Sequence, residues 1–119
     1  MNSKKLSQLV VAALEEIKGQ SILCINVKKL TSITDYMIIV TGSSSTHIKA
    51  LSDEVVKKMQ EAKVEVIGVE GRQQSEWVLV DLGGVVVHLM MAPVRALYNL
   101  EELWSFKLAK SEARETSKA

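Results

Sequence analysis

The sequence lacks three features that would each assign the protein to a common functional class. Its single cysteine, Cys24, cannot form an internal disulfide, and the apolar run SILCINV around it indicates a small buried hydrophobe. No segment reaches the ~20 apolar residues of a membrane span, and MNSKK leads into an amphipathic helix without a signal-peptide apolar region. The 15 basic and 14 acidic residues provide no global positive field for nucleic acid. We therefore expect a cytoplasmic protein that binds neither DNA nor a membrane.

Length and composition indicate one globular domain. A chain of 119 residues can bury one hydrophobic core but is too short for two, and 47% hydrophobic with 24% charged residues are ordinary values. From Lys107 onward the sequence is polar and its charges alternate in sign. We therefore expect a domain over residues 1–106 and a frayed tail over residues 107–119.

Hydrophobic periodicity predicts eight elements in the order α-β-β-α-β-β-β-α. In chain order these are a helix over 3–18, strands over 22–27 and 36–41, a helix to about 63, a strand over 64–69, the two strands of a hairpin within 76–91, and a helix from 93. Strand, helix and strand over residues 36–69 form a βαβ unit, which predicts parallel strands joined by a right-handed crossover. The expected fold class is α/β (mixed α+β), a single domain with a mixed five-stranded sheet and helices.

The hairpin EWVLVDLGGVVVHLMM, from Glu76 to Met91, is the most informative stretch. A two-residue turn falls on Gly83-Gly84 or on Leu82-Gly83, and the side chains divide between two faces in the same way for either turn. One face is wholly aliphatic and is expected to be core: Val78, Val80, Leu82, Val85, Val87 and Leu89. The other face is either a second buried layer or a surface that meets a partner: Trp77, Leu79, Asp81, Val86, His88 and Met90.

The segment TGSSS, between a predicted strand and a predicted helix, has two interpretations. Backbone N–H groups at a helix N-terminus bind anions, and nucleotidyltransferases place a Gly-Ser pair at this point. Alternatively, one serine caps the helix. Phosphoryl transfer also needs carboxylates to hold magnesium, yet the nearest pair, Asp53-Glu54, is expected in mid-helix on a solvent face. We favour the cap.

The two histidines and Trp77 each have a structural and a functional interpretation. One cysteine and two histidines make a zinc site improbable, and His47 is expected on a helix surface. His88 is either a hydrogen-bonded structural imidazole or an interface residue. Trp77 is either core or an interface anchor, and the neighbouring Asp81 and polar loop 70–76 favour the anchor. Within this loop, residues 71–75 are expected to be mobile.

Several motifs together resemble the ribosomal silencing factor family, the Iojap-related proteins of bacteria and organelles. They are the pair Glu70-Gly71, the run WVLVDLGGVVVHLM, the run VRALYNLEELW with Arg95, Tyr98 and Trp104, and the upstream segment TDYMIIVTGSSSTHIKAL. The resemblance covers roughly residues 5–105. The sequence departs from the family pattern at Gly84, where Asp is usual, and at Thr46, where Arg is common.

The resemblance implies a two-layer fold similar to nucleotidyltransferases and a non-enzymatic function without cofactor or metal. It implies docking on the large ribosomal subunit, chiefly on its fourteenth ribosomal protein, so that the small subunit cannot join and translation falls when nutrients are limiting. A role in late large-subunit assembly and a homodimer are also implied. Combined with the hairpin face, it predicts these partner-binding residues: Glu70, Trp77, Asp81, Leu82, His88, Met90, Tyr98 and Glu101. A nucleotide-using enzyme built on TGSSS remains the competing hypothesis.

Overall fold

A computed structural model describes residues 1–98, with the backbone alone for Tyr98. The predicted element order is confirmed: α1 (Ser3–Glu16), β1 (Gln20–Asn26), β2 (Tyr36–Gly42), α2 (Ser45–Glu61), β3 (Gly68–Glu70), β4 (Trp77–Asp81), β5 (Val85–Met91) and α3 (Ala92–Tyr98). The side chain of Tyr98, together with Glu101, Trp104 and the predicted tail over 107–119, lies outside the described residues.

The five strands form one mixed sheet in the order β1-β2-β5-β4-β3. Strands β2 and β5 are parallel, and the other neighbouring pairs are antiparallel. Strands β2 and β3 therefore run in the same direction, as the βαβ pattern predicts. They are not neighbours, because the β4–β5 hairpin lies between them and leaves β3 at the sheet edge.

The third strand is shorter than predicted. Only residues Gly68–Glu70 form β3, whereas the apolar pattern predicted a strand over 64–69. The preceding residues close the helix instead, since the Val64 N–H donates to the Met59 carbonyl at 2.8 Å, and Val64 and Val66 then pack against the core. An apolar alternating segment can contribute to a core without pairing as a strand, which is why the pattern overestimated β3.

Helices α1 and α2 cover one face of the sheet, called here the inner face. The core consists of apolar side chains from both helices and from the inner face of β2, β4 and β5. The aliphatic set of the hairpin lies here as predicted: Val78, Val80, Val85, Val87 and Leu89 are 0% exposed and Leu82 is 5% exposed. Burial of this set is the main hydrophobic contribution of the hairpin to stability.

The opposite, outer face is buried over only part of its area. Val27, Met37, Ile39 and Met90 form a second, smaller buried cluster, against which Leu30 packs. Val27 and Leu30 follow β1, so the connection between β1 and β2 closes this end of the outer face. The outer face is therefore both a buried layer and an open surface, in different places.

The expected burial of Cys24 is wrong. Cys24 is exposed because β1 is an edge strand whose side chains are mostly solvent-accessible. Its thiol lies beside α1, where partial desolvation raises its pKa, and only the weaker effect of a hydrogen bond with Ser7 opposes this. A raised pKa keeps the thiol protonated, so the structure gives no support for a reactive cysteine.

Candidate partner-binding surface

The β4–β5 hairpin turns at Gly83-Gly84. The Leu82 N–H donates to the Val85 carbonyl at 2.9 Å, and Asp81 Oδ1 accepts from the Gly83 N–H at 2.9 Å. Gly83 has a backbone φ of 84°, which residues with a Cβ adopt rarely. Asp81 therefore has a local role in the turn in addition to any role in binding.

Gly84, one of the two positions at which the sequence departs from the pattern that it resembles, is packed against the start of α1. A Cβ at this position would meet Ser3 Oγ, which donates to Asp35 Oδ2 at 2.7 Å. The Gly84 carbonyl accepts from the backbone N–H groups of Asp35 and Tyr36, each at 3.1 Å. In this chain Ser3 takes the space that a longer side chain at position 84 would need.

Strand register brings most of the predicted hairpin residues onto the outer face. Trp77 is paired with Met90, Leu79 with His88, and Asp81 with Val86. On the other side of β4, Glu70 is paired with Leu79, so it extends the same face to the sheet edge. Paired residues in adjacent strands point to the same side of the sheet.

Trp77 and His88 form a hydrogen-bonded pair within this face. Trp77 Nε1 donates to His88 Nδ1 at 2.9 Å, and the two ring centroids are 5.8 Å apart with a 48° tilt. His88 is 7% exposed, and burial lowers its pKa from 6.5 to about 4. The imidazole is therefore neutral at physiological pH, with its proton on Nε2, because Nδ1 accepts from the indole.

The loop before β4, which the sequence suggested was mobile, is internally hydrogen-bonded. The Ser75 N–H donates to the Gly71 carbonyl at 3.0 Å, and Ser75 Oγ donates to the Arg72 carbonyl. Arg72 also makes two hydrogen bonds to the Asp53 carboxylate on α2, at 3.0 and 3.1 Å. Gly71 has φ of 84°, and a Cβ there would collide with the Trp77 carbonyl. The loop thus packs directly on the backbone that carries Trp77.

The structure divides the predicted binding residues into accessible and buried groups. Glu70 is exposed, and Trp77 and Asp81 are half-buried. Leu82 is 5% exposed and Met90 is 0% exposed, so the expectation that these two side chains are open to a partner is corrected. Leu82 lies on the inner face beneath the helices, whereas Met90 belongs to the small outer-face cluster. Both side chains therefore contribute to the packing of the hairpin rather than to its accessible surface.

Two accessible residues were not among the predicted binding residues. Leu79 and Val86 are half-buried and lie on the outer face beside His88 and Asp81. Strand alternation already placed them on this face. Their aliphatic side chains have no feature that distinguishes a surface residue from a core residue.

The TGSSS segment caps α2, as the favoured interpretation predicted. Ser44 Oγ accepts from the His47 N–H at 3.1 Å, and the Ser43 N–H donates to His47 Nδ1 at 2.8 Å. His47 Nε2 donates to the Ile17 carbonyl at 2.7 Å. His47 is therefore not a simple surface residue, because it joins the start of α2 to the end of α1.

Three features would indicate a catalytic or membrane site in residues 1–98: free carboxylates near the TGSSS segment, a cluster of metal ligands and a membrane-spanning helix. Asp53 pairs with Arg72, and Glu54 lies 3.8 Å from Lys58 Nζ, so both carboxylates of the Asp53-Glu54 pair are engaged in ion pairs. Within residues 1–98 no group of three or more His, Cys, Asp or Glu residues could hold a metal ion. Over the same part of the chain, no helix is long and apolar enough to cross a membrane.

Comparison with known proteins gives the family. The family model described as Ribosomal silencing factor during starvation matches residues 1–119. The chain belongs to the ribosomal silencing factor family. A ribosomal silencing factor of Chromobacterium violaceum is 46% identical over 104 residues, which are 87% of this chain and 85% of the relative.

A solved structure and a eukaryotic relative extend this family assignment. A crystal structure of a Chromobacterium violaceum protein, 46% identical, superposes with a TM-score of 0.87 over 88% of each chain. The mouse protein named mitochondrial assembly of ribosomal large subunit protein 1 is 31% identical over 102 residues. These residues cover 83% of this chain and 45% of the mouse protein.

Proposed function

We propose that the protein binds the large ribosomal subunit, chiefly through its fourteenth ribosomal protein, and so prevents the small subunit from joining. Translation is then repressed when nutrients are limiting. The contact is made by the open part of the outer face, called here the docking face: Glu70, Trp77, Leu79, Asp81 and Val86. The observation that carries this proposal is a half-buried tryptophan held in an apolar strip with carboxylates at its border.

The chemistry of the docking face suits a basic protein better than bare RNA. Trp77, Leu79 and Val86 provide an apolar centre, whereas Glu70 and Asp81 provide negative charge around it. An apolar centre with a polar, complementary rim is the usual arrangement of a protein–protein interface. Carboxylates repel the phosphate backbone, and the formal net charge of +1 supplies no compensating attraction.

Blocking of subunit joining requires bulk in the right place and no bond chemistry. The hydrogen bonds of the TGSSS segment support this non-enzymatic interpretation, because the Ser43 N–H and the His47 N–H already have partners. An anion at the start of α2 would have to displace the His47 side chain. The name of the mouse relative supports a further role in large-subunit assembly, and we propose that both roles are carried out in the cytoplasm.

The test is co-sedimentation of the purified protein with separated ribosomal subunits. We expect the protein to sediment with the large subunit, and Trp77→Ala to weaken binding by an apolar anchor of about 2 kcal/mol, or roughly 30-fold. Val56→Ala is the matched control. Val56 is half-buried like Trp77, but it lies on α2, which covers the opposite side of the sheet from the docking face. A folded Trp77→Ala protein that binds as well as Val56→Ala would show that the docking face is misassigned.

Charge reversal tests the rim separately. Glu70→Lys and Asp81→Lys are expected to weaken binding and to slow association, because they place positive charge opposite a basic partner. Glu15→Lys, on the exposed side of α1, makes the same charge change away from the docking face.

Size-exclusion chromatography of the free protein tests the proposed homodimer, and magnesium-dependent nucleotide binding by calorimetry would favour the enzyme hypothesis instead.

A further inference from the structure

Trp77 packs against the small outer-face cluster at the end of β4, beyond the residues of β4 that pair with β3. Trp77 is the first residue of β4, which lies next to the edge strand β3. Its backbone is paired with Met90, two residue pairs beyond the Leu79–His88 pair. An aromatic side chain at the end of a strand can adopt several rotamers unless a directional contact selects one. The hydrogen bond from Nε1 to His88 Nδ1, at 2.9 Å, is such a contact.

His88 is more deeply buried than the tryptophan that it contacts. It lies in the middle of β5, between Ile39 of β2 and Leu79 of β4. Only 7% of the residue is exposed, so a partner protein has little access to the imidazole itself. This arrangement agrees with the structural alternative for His88, a hydrogen-bonded imidazole, rather than with a direct contact to a partner. A buried acceptor in the middle of a strand can fix the orientation of a more exposed side chain that donates to it.

We infer that His88 is a positioning residue that fixes the Trp77 indole in its binding orientation through the Nδ1 acceptor. This inference rests on the proposed function, since it explains how the anchor of that proposed surface is preorganised. A side chain that is already ordered loses less conformational freedom on binding than one that samples several rotamers. Loss of the acceptor also leaves the indole N–H without this partner in a half-buried position.

A spectroscopic test on the free protein examines the hydrogen bond without any ribosome. Trp104→Phe is introduced first, so that Trp77 gives the single indole N–H signal in a nitrogen-15 NMR spectrum. We expect this signal to be shifted and protected from solvent exchange. His88→Phe, which keeps a ring but removes the acceptor, should abolish the shift and the protection. His88→Asn, whose Oδ1 lies near the position of Nδ1, should restore both.

The binding test uses a double-mutant cycle with the large subunit. His88→Phe is expected to weaken binding by about 2- to 10-fold, the range of a single hydrogen bond. His88→Asn should recover most of that loss, per folded molecule measured by circular dichroism. Trp77→Phe removes the donor, so adding His88→Phe to it should cause no further loss. Glu15→Gln, on the exposed side of α1 and away from this hydrogen bond, is the control.

Each outcome has one meaning. An unchanged indole signal in His88→Phe would overturn the inference, and so would equal losses of binding in His88→Phe and His88→Asn. Additive losses in the cycle would show that His88 acts through something other than the Trp77 N–H. If the NMR results are as expected but Trp77→Ala binds normally, the proposed docking face fails while the intramolecular positioning stands.

Discussion

Both faces of the β4–β5 hairpin carry several apolar residues, but the two faces differ in burial. On the inner face Val78, Val80 and Val87 are completely buried beneath α1 and α2. On the outer face Trp77, Leu79 and Val86 stay half-buried, although Met90 in the same row is fully covered. Hydrophobicity alone therefore does not decide which face of a sheet becomes core. The decision depends on which face receives helices and loops.

The polar residues show the same difference between the faces. The buried aliphatic row of the inner face, from Val78 to Leu89, contains no ionisable side chain, whereas the outer face contains Asp81 and His88. Asp81 remains half-open and is hydrogen-bonded to the turn, and His88 is neutralised by burial. Polar groups can be kept on the outer face because each has a hydrogen-bond partner or access to water.

The largest expected effect separates the two faces directly. Val80→Glu places a carboxylate in the fully buried inner face without a partner, which costs at least several kcal/mol even after the pKa rises. A domain of this kind is stabilised by roughly 5–15 kcal/mol, so the variant should be unfolded or insoluble. Trp77→Glu, in which the charge reaches water, should lower the melting temperature by only a few degrees. Thermal unfolding followed by circular dichroism compares them, and equal unfolding would make Trp77 a core residue.

Lowering the pH should destabilise the folded protein through His88. Its folded-state pKa of about 4 lies below the unfolded value of 6.5, so the unfolded chain binds more protons between these values. The free energy of unfolding is not reduced by His88 above pH 6.5. As the pH is lowered from 6.5 toward 4, protonation of this residue in the unfolded chain reduces it by about 3 kcal/mol in total. Urea unfolding of the protein and of His88→Phe over this pH range measures the difference.

Other charged side chains lie near this face. Asp81 on β4, Glu70 on β3 and Arg95, which donates to Thr41 of β2 at 2.9 Å, are present in both proteins. Subtraction of the two pH profiles therefore isolates the imidazole. Parallel profiles for the protein and His88→Phe would mean that His88 is not the group that titrates.

Gly71 tests the support beneath the docking face. Gly71→Ala must accept a φ of 84° and a Cβ in collision with the Trp77 carbonyl, so we expect a loss of about 1–3 kcal/mol. Gly68→Ala is a matched control in the neighbouring strand, because a Cβ at Gly68 meets no atom within 4 Å. Urea denaturation compares the two variants. Similar stabilities would show that the loop can move away from Trp77 at little cost.

The smallest effect concerns the helix that covers the inner face. Ser44→Ala removes the side-chain acceptor for the His47 N–H at the start of α2, with an expected loss of about 0.5–2 kcal/mol. Ser45→Ala, one residue inside the helix, should have little effect. Both variants should bind the large subunit normally per folded molecule. Loss of binding by folded Ser44→Ala would reopen a functional role for the TGSSS segment.

The sequence by itself determined the features that depend on near neighbours. Element order, a two-residue turn at one of two adjacent positions, the buried aliphatic row from Val78 to Leu89 and the serine cap of α2 were all predictable. Each follows from a periodicity, a turn preference or a capping preference that acts over a few residues. The family motifs were also readable from the sequence, because they consist of contiguous residue types.

Only the tertiary structure decided which strands are neighbours and which apolar side chains are covered. It placed β3 at the edge, exposed Cys24 on the other edge strand, and buried Met90 beneath the β1–β2 connection. It also joined His47 to the end of α1 and Trp77 to His88. These contacts depend on the relative positions of elements that are distant in sequence, and on side-chain rotamers selected by packing. No local periodicity contains that information.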